Sequence, residues 1–379
     1  MKKLSELYEF KIPINTLFYI AYFLIIASDI FDNILIFKNI LIAVDIISIL
    51  LLMLVIVIKR KIEIKMLIFL ILIGISAIVS DDRSLLKLPF LLMAFNGIEF
   101  KDFIKKDLIF RVTLVGILFI FNFIGITNNG VLEVRNGFMR NSFGLGHPNS
   151  FAFYLTVICL DFYYIENQKE KSNIVKPLII SMCIVAFIFL FVGSRTNILI
   201  ISLFSLLFLL ERKIKIKIKN RSIIPYIFAI CMIISIAFAY GYNSNNEILN
   251  LIDKFLSRRL YLANYFVTKY DITLFGNNVI TSQFYALDNA YINIFVRYGV
   301  ALAVYFVIMF RNTTKNLIEK KEYVLAIILT IFAIYGISET PLYIPAKNPY
   351  ILLLVFSWSN SKVKLLSKRR SIDNEWWNT

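Results

Sequence analysis

The chain holds a single histidine among its 379 residues. It lies in Asn141-Ser142-Phe143-Gly144-Leu145-Gly146-His147-Pro148-Asn149, a polar, glycine-rich stretch between two long apolar runs. Histidine is the side chain whose charge changes near neutral pH. Here it stands just ahead of a predicted helix whose N-cap would be Asn149 or Ser150. The free N–H groups and partial positive charge of such a helix start suit an anion. Arg195 sits in Gly193-Ser194-Arg195-Thr196, a very short turn between two more apolar runs. A guanidinium is a rigid fork that matches phosphate; the plainer role is contact with lipid headgroups. Arg258 and Arg259 lie in an amphipathic segment, 246–266, where Ile248, Leu249, Ile252, Phe255, Leu256, Leu260 and Leu262 recur at helical spacing. Asp288 opens another run as an N-cap or as an acid–base group. Arg297 is nine residues further on, roughly 13 Å along a helix at about 1.5 Å per residue. A charge at that depth needs a polar partner. Glu339 offers one, either to Arg297 or to a loop arginine.

The elements that must position these groups are apolar helices. The sequence is 59% hydrophobic, with 35 Phe and 20 Tyr and a mean hydropathy of +0.74. A helix needs about 20 apolar residues to cross a bilayer. About twelve such runs are predicted, near 13–29, 39–58, 66–79, 85–99, 108–127, 150–165, 177–193, 197–211, 222–241, 290–310, 323–337 and 350–359. The expected fold is therefore all-α: one polytopic integral membrane domain over 1–379. With the amino terminus inside, 28 of the 41 Lys and Arg fall on inner segments, among them 59–65, 212–221 and the tail 360–379. Outer turns are partly acidic, as at Asp29, Asp32, Asp81 and Asp82. The positive-inside rule then places both termini in the cytoplasm. The long segments 128–149 and 242–289 face out, the second between the ninth and tenth spans. So do Arg195 and Glu339. No small-residue cleavage site follows the first apolar run, so that run is expected to remain as a span.

Several chemistries lack their marks. The net charge of +16 flanks apolar segments as a topology signal and does not form a nucleic-acid surface. Cys159, Cys183 and Cys231 all fall inside apolar runs, which argues against a disulfide framework or a zinc site. No phosphate-binding Gly-x-x-x-x-Gly-Lys-Ser/Thr loop, His-Glu-x-x-His or Asp-x-Asp pair occurs. What remains is a gathering of cations, one histidine and two carboxylates at outer helix ends. That pattern suits an anionic, lipid-linked substrate approached from the membrane.

Four elements occur in a telling order: Ser142-Phe143-Gly144-Leu145-Gly146-His147-Pro148-Asn149, Gly193-Ser194-Arg195-Thr196, Ser257-x-Arg259, and Leu287-Asp288-Asn289-Ala290-Tyr291 with Gly299. The chain thereby resembles the Wzy-type repeat-unit polymerases of O-antigen, capsule and exopolysaccharide synthesis, along nearly its whole length. It departs from them where the family has Ser-Gly-Arg and this chain has Ser257-Arg258-Arg259, and where Phe275-Gly276-Asn277-Asn278 lacks a second glycine. The resemblance implies a membrane glycosyltransferase that joins oligosaccharide units carried on undecaprenyl pyrophosphate at the outer face. It implies Arg195 and Arg259 as pyrophosphate ligands, with Arg258 and Asn149 as further contacts. His147 is the base or a third phosphate contact, with Asp288 or Glu339 as the rival base. Arg297 is a separate polar site within a span. No metal or other cofactor is required. Partners would be the lipid-linked oligosaccharide, membrane lipids, a flippase and a chain-length regulator. A ligase for finished polymer and a lipid-linked oligosaccharide flippase are the competing readings. A flippase should place charges at mid-span positions.

Overall fold

The computed structural model describes residues 13–358 except 33, 35–36, 61, 128–132, 136–137, 170–172, 214–222 and 283–284. The amino-terminal lysines, most of the basic turn 212–221, the first part of 128–149 and the tail 360–379 thus lie outside the described residues.

Among the described residues the regular structure is helical apart from one hairpin. Its helices are α1 (Ile14–Phe31), α2 (Lys38–Lys59), α3 (Ile64–Ser80), α4 (Lys87–Phe95) and α5 (Phe100–Phe123). The hairpin follows, β1 (Glu133–Arg135) against β2 (Phe138–Arg140), antiparallel, with Glu133 opposite Arg140. Then come α6 (Pro148–Asn167), α7 (Val175–Phe187), α8 (Arg195–Lys213), α9 (Ile227–Gly241), α10 (Glu247–Phe255) and α11 (Arg259–Lys269). The last are α12 (Ala290–Ile292), α13 (Val300–Glu319) and α14 (Tyr323–Tyr335), with 3-10 turns at Thr340–Tyr343 and Pro349–Ser357. The helices pair α1 with α2, α5 with α6, α8 with α14, and α9 with α11.

Helices satisfy their own backbone hydrogen bonds, which is why apolar runs bound for lipid adopt them. Four are long and apolar enough to cross a membrane: Ile14–Phe31, Asn39–Lys59, Val175–Val192 and Ile224–Gly241. Ile64–Ser80, Ser84–Phe95 and Tyr323–Tyr335 are apolar but shorter. Large apolar side chains also point outward, Val57, Ile78 and Phe123 among them. A surface of this kind is suited to lipid, and the protein is membrane-embedded.

Four predicted elements change form, one of them the run 350–359, which is a 3-10 stretch over Pro349–Ser357. The fifth helix begins at Phe100 instead of near 108, which draws Asp107 and Arg111 onto one fully buried face. The segment 246–266 is two helices, α10 and α11. They are separated by a reversal at Ser257 and Arg258, both left-handed with φ of 62° and 65°. The run 290–310 is broken: a π-helix over Asn293–Tyr298 ends at Gly299, and α13 starts afresh.

Backbone from the segment before it fills that break. Val300 N–H donates to the Thr273 carbonyl and Ala301 N–H to that of Leu274, each at 3.1 Å. Asn277 N–H donates to the Arg297 carbonyl, and its side-chain amide to that of Val296. The two chains approach so closely that a Cβ on Gly276 would stand 2.0 Å from the Arg297 oxygen. One on Gly299 would stand 2.4 Å from the Gly276 nitrogen. Both glycines have positive φ, 98° and 92°. Gly299→Ala should therefore destabilise the protein by at least ~2 kcal/mol, from strain and the backbone clash together. Thermal unfolding in detergent would read this as a clear drop in Tm.

Candidate functional site

One cavity of about 670 Å³ opens among the ends of these helices. His147, Asn149 and Ser150 line it from the start of α6, and Arg195 and Thr196 from the start of α8. Ser257 and Arg259 enter from the reversal before α11, and Asp288 from the segment before α12. Ser338, Glu339 and Thr340 complete it from the turn after α14. Its deeper wall is apolar, built by Phe153, Leu199, Ile200, Leu203 and Ile334.

Each polar group is placed by local backbone chemistry. Pro148 takes the first position of α6, where its missing N–H costs nothing. The N-cap is consequently His147, not Asn149 or Ser150: its Nδ1 accepts from the Asn149 N–H at 3.1 Å. An accepting Nδ1 puts the proton of the neutral ring on Nε2. His147 is thus arranged to donate from Nε2, as a phosphate contact would, and not to abstract a proton there.

The Asn149 side chain is consumed within the protein. Its Oδ1 accepts from Arg140 Nη2 at 2.7 Å, and its Nδ2 donates to Glu339 Oε1 at 2.8 Å. Asn149 therefore positions Glu339 instead of reaching a phosphate. Arg259 also donates to Glu339 Oε1 and lies 3.7 Å from Asp288 Oδ2. Its Nη1 donates to Thr196 Oγ1 at 3.3 Å. Both bonds to Glu339 fall on Oε1, and the residue lines the cavity. Burial raises the Glu339 carboxyl above its ordinary pKa of 4.5. The nearby Asp288 charge adds to this, while Arg259 and Asn149 oppose it without cancelling it.

Arg195 opens α8 two residues after Gly193, whose φ of 65° makes the tight turn. It is exposed and makes no hydrogen bond or ion pair with the described residues. A cation held at a cavity wall with no internal counter-charge is suited to an incoming anion.

One expected member lies elsewhere. Arg258 is exposed and does not line the cavity. Arg297 pairs with Asp82 (Nη1–Oδ2 2.7 Å), and Glu339 pairs with Arg259 instead. Burial pushes Asp82 up, but bonds from Ser84 and the Arg297 charge outweigh it and hold the carboxyl below its ordinary value. Asp288 is not an N-cap either: Asn289 caps α12, accepting from the Tyr291 and Ile292 N–H groups.

Two cations were missing from the sequence reading. Arg140, buried at the end of β2, reaches the cavity and also donates to the Val192 carbonyl at 3.2 Å. Lys347 lines the wall from between the two 3-10 turns, 4.0 Å from Asp29. Four cationic side chains thus face two carboxylates, a net positive cavity with histidine neutral.

Searches against protein-family models, curated proteins and solved structures find no match to this chain. The roles of these residues rest on their geometry.

Glu339 should titrate above 4.5. Asn149→Leu, which removes a hydrogen bond that favours the charged form, should move it higher still. NMR of side-chain-labelled glutamate in detergent would follow both titrations; an unmoved Glu339 signal would contradict the assigned bond.

Proposed function

We propose that this protein is a membrane glycosyltransferase of twelve spans with both termini in the cytoplasm. It polymerises undecaprenyl-pyrophosphate-linked oligosaccharide repeat units at the outer face of the bacterial cytoplasmic membrane, for capsule or exopolysaccharide. One observation carries the reading: a single cavity gathers Arg195, Arg259, His147 and Glu339 over an apolar wall. An amphiphile with a diphosphate headgroup needs both halves of such a cavity.

In the proposed reaction an acceptor hydroxyl oxygen attacks the anomeric carbon of the growing chain. The bond from that carbon to the pyrophosphate oxygen breaks, and the electron pair leaves with the diphosphate. The hydroxyl proton passes to Glu339 Oε2, whose raised pKa brings it nearer the working pH of a base. Arg195 meets the departing charge, with Arg259 and the Nε2–H of His147 beside it. Fixed cations of this kind stabilise a transition state because they need no rearrangement. Asp288, more exposed and only loosely paired with Arg259, tunes that arginine. A flippase would deliver the lipid-linked units and a chain-length regulator would act on the product.

A flippase remains a second reading, and one observation favours it. Asp107, Arg111 and Asp161 are fully buried within the bundle, so ionisable groups are not confined to the outer helix ends. Purified protein in liposomes with lipid-linked units separates the readings, since a polymerase lengthens its substrate and a flippase leaves its mass unchanged.

In that assay Arg195→Ala should slow polymer formation about 100- to 1,000-fold, the usual loss for one preorganised charge donor, with folding intact. Unchanged polymer length and rate would remove Arg195 from the mechanism. The wild-type rate should fall on acidification as Glu339 takes up a proton, with an apparent pKa above 4.5. Glu339→Gln should abolish both that acid limb and most of the activity; a retained limb would pass the base role to Asp288.

A further inference from the structure

Asp161, on α6, is fully buried, and neither of its carboxyl oxygens makes a hydrogen bond of normal geometry; the Tyr350 hydroxyl that faces it is likewise without a bonded partner. The groups that face it are Asp107 and Arg111 of α5 and Tyr350 of the last 3-10 turn, with Cys159 on its own helix. Asp107 is already served by donors: the Tyr22 hydroxyl at 2.7 Å and Arg111 Nε at 2.6 Å. Arg111 gives its remaining nitrogens to the Ala346 carbonyl (2.7 Å) and the Tyr22 oxygen (3.1 Å). One guanidinium therefore faces two carboxyl groups, all three without exposed surface.

A second buried carboxylate beside Asp107 would have no counter-charge, and such a charge is neutralised before it is tolerated. Two carboxylates are both acceptors, so only a proton can join them. We propose that Asp161 holds a bound proton and donates it to Asp107, which makes this cluster a proton-binding site inside the bundle. Asp107 then balances Arg111, and Asp161 is neutral.

The site is connected to the outer cavity. The carbonyl held by Arg111 belongs to Ala346, next to Lys347 on the cavity wall. The Arg111 guanidinium also lies over the Tyr154 ring, at 5.7 Å from its centroid. Tyr154 donates to Asp29, and Asp29 is the carboxylate nearest Lys347. Removal of the proton sets two carboxylates on the guanidinium that holds Ala346, so the occupancy of the site is felt at the wall.

Infrared spectroscopy tests this on the full chain in liposomes near neutral pH, because a protonated carboxyl has a C=O stretch that a carboxylate lacks. The wild-type protein should show that band, and carbon-13 labelling of the aspartate carboxyls should shift it. Asp161→Asn should abolish it, whereas Glu339→Gln should leave it in place. A spectrum in which no such band moves with aspartate labelling would overturn the proposal, whether or not the variant folds. So would a band that survives Asp161→Asn.

Discussion

Arg259 and Glu339 come from segments 80 residues apart, and their ion pair closes the cavity between them. Each partner is tied onward: Arg259 to Thr196 and Asp288, Glu339 to Asn149 and through it to Arg140. The start of α6, the start of α8, the reversal before α11 and the turn after α14 are thus joined through two side chains. The pair is largely buried, at 12% side-chain exposure on each side. Truncation of either partner would strand the other charge, which costs more than the bond itself contributes. The site and the architecture at this end of the bundle therefore share one interaction.

The reversal at Ser257 and Arg258 shows how backbone geometry serves that pair. The two left-handed residues turn α11 back, and Asp253 accepts from the Leu260 and Tyr261 N–H groups at its start. Arg259, at the first position of α11, is aimed into the cavity as a result, while Arg258 is left outside it. The break at Gly299 works differently. There the loop 273–277 takes over the hydrogen bonds that a continuous helix would have made for itself.

Helix positions were legible in the sequence because apolar runs separated by charged turns leave little choice. Nine of the predicted runs lie within a few residues of helices that begin and end where the polarity changes; the run at 108–127, the broken run at 290–310 and the 3-10 stretch at 350–359 do not. Cavity membership was legible for His147, Asn149, Arg195, Arg259, Asp288 and Glu339, since polar groups at neighbouring helix ends must converge. Their partners were not. Whether Asn149 meets a phosphate or a carboxylate depends on Arg140, one of two arginines in a short hairpin with no pattern to mark which of them turns inward. Pairing of Arg297 with Asp82 links residues 215 apart, which periodicity cannot register. Asp107 and Arg111 are the opposite case: their i, i+4 spacing is plain in the sequence. It was hidden only by starting the fifth helix too late.

The apolar half of the cavity reaches the outside of the bundle. Leu199 and Phe255 line it and are 58% and 66% exposed. An amphiphile of the kind proposed would enter past them sideways from the bilayer without crossing water. Encounter is then a two-dimensional event, governed by the mole fraction of the amphiphile among surrounding lipids and not by its concentration in the sample. Saturation would have to be expressed in surface units, and adding inert lipid would slow the protein as effectively as removing its ligand.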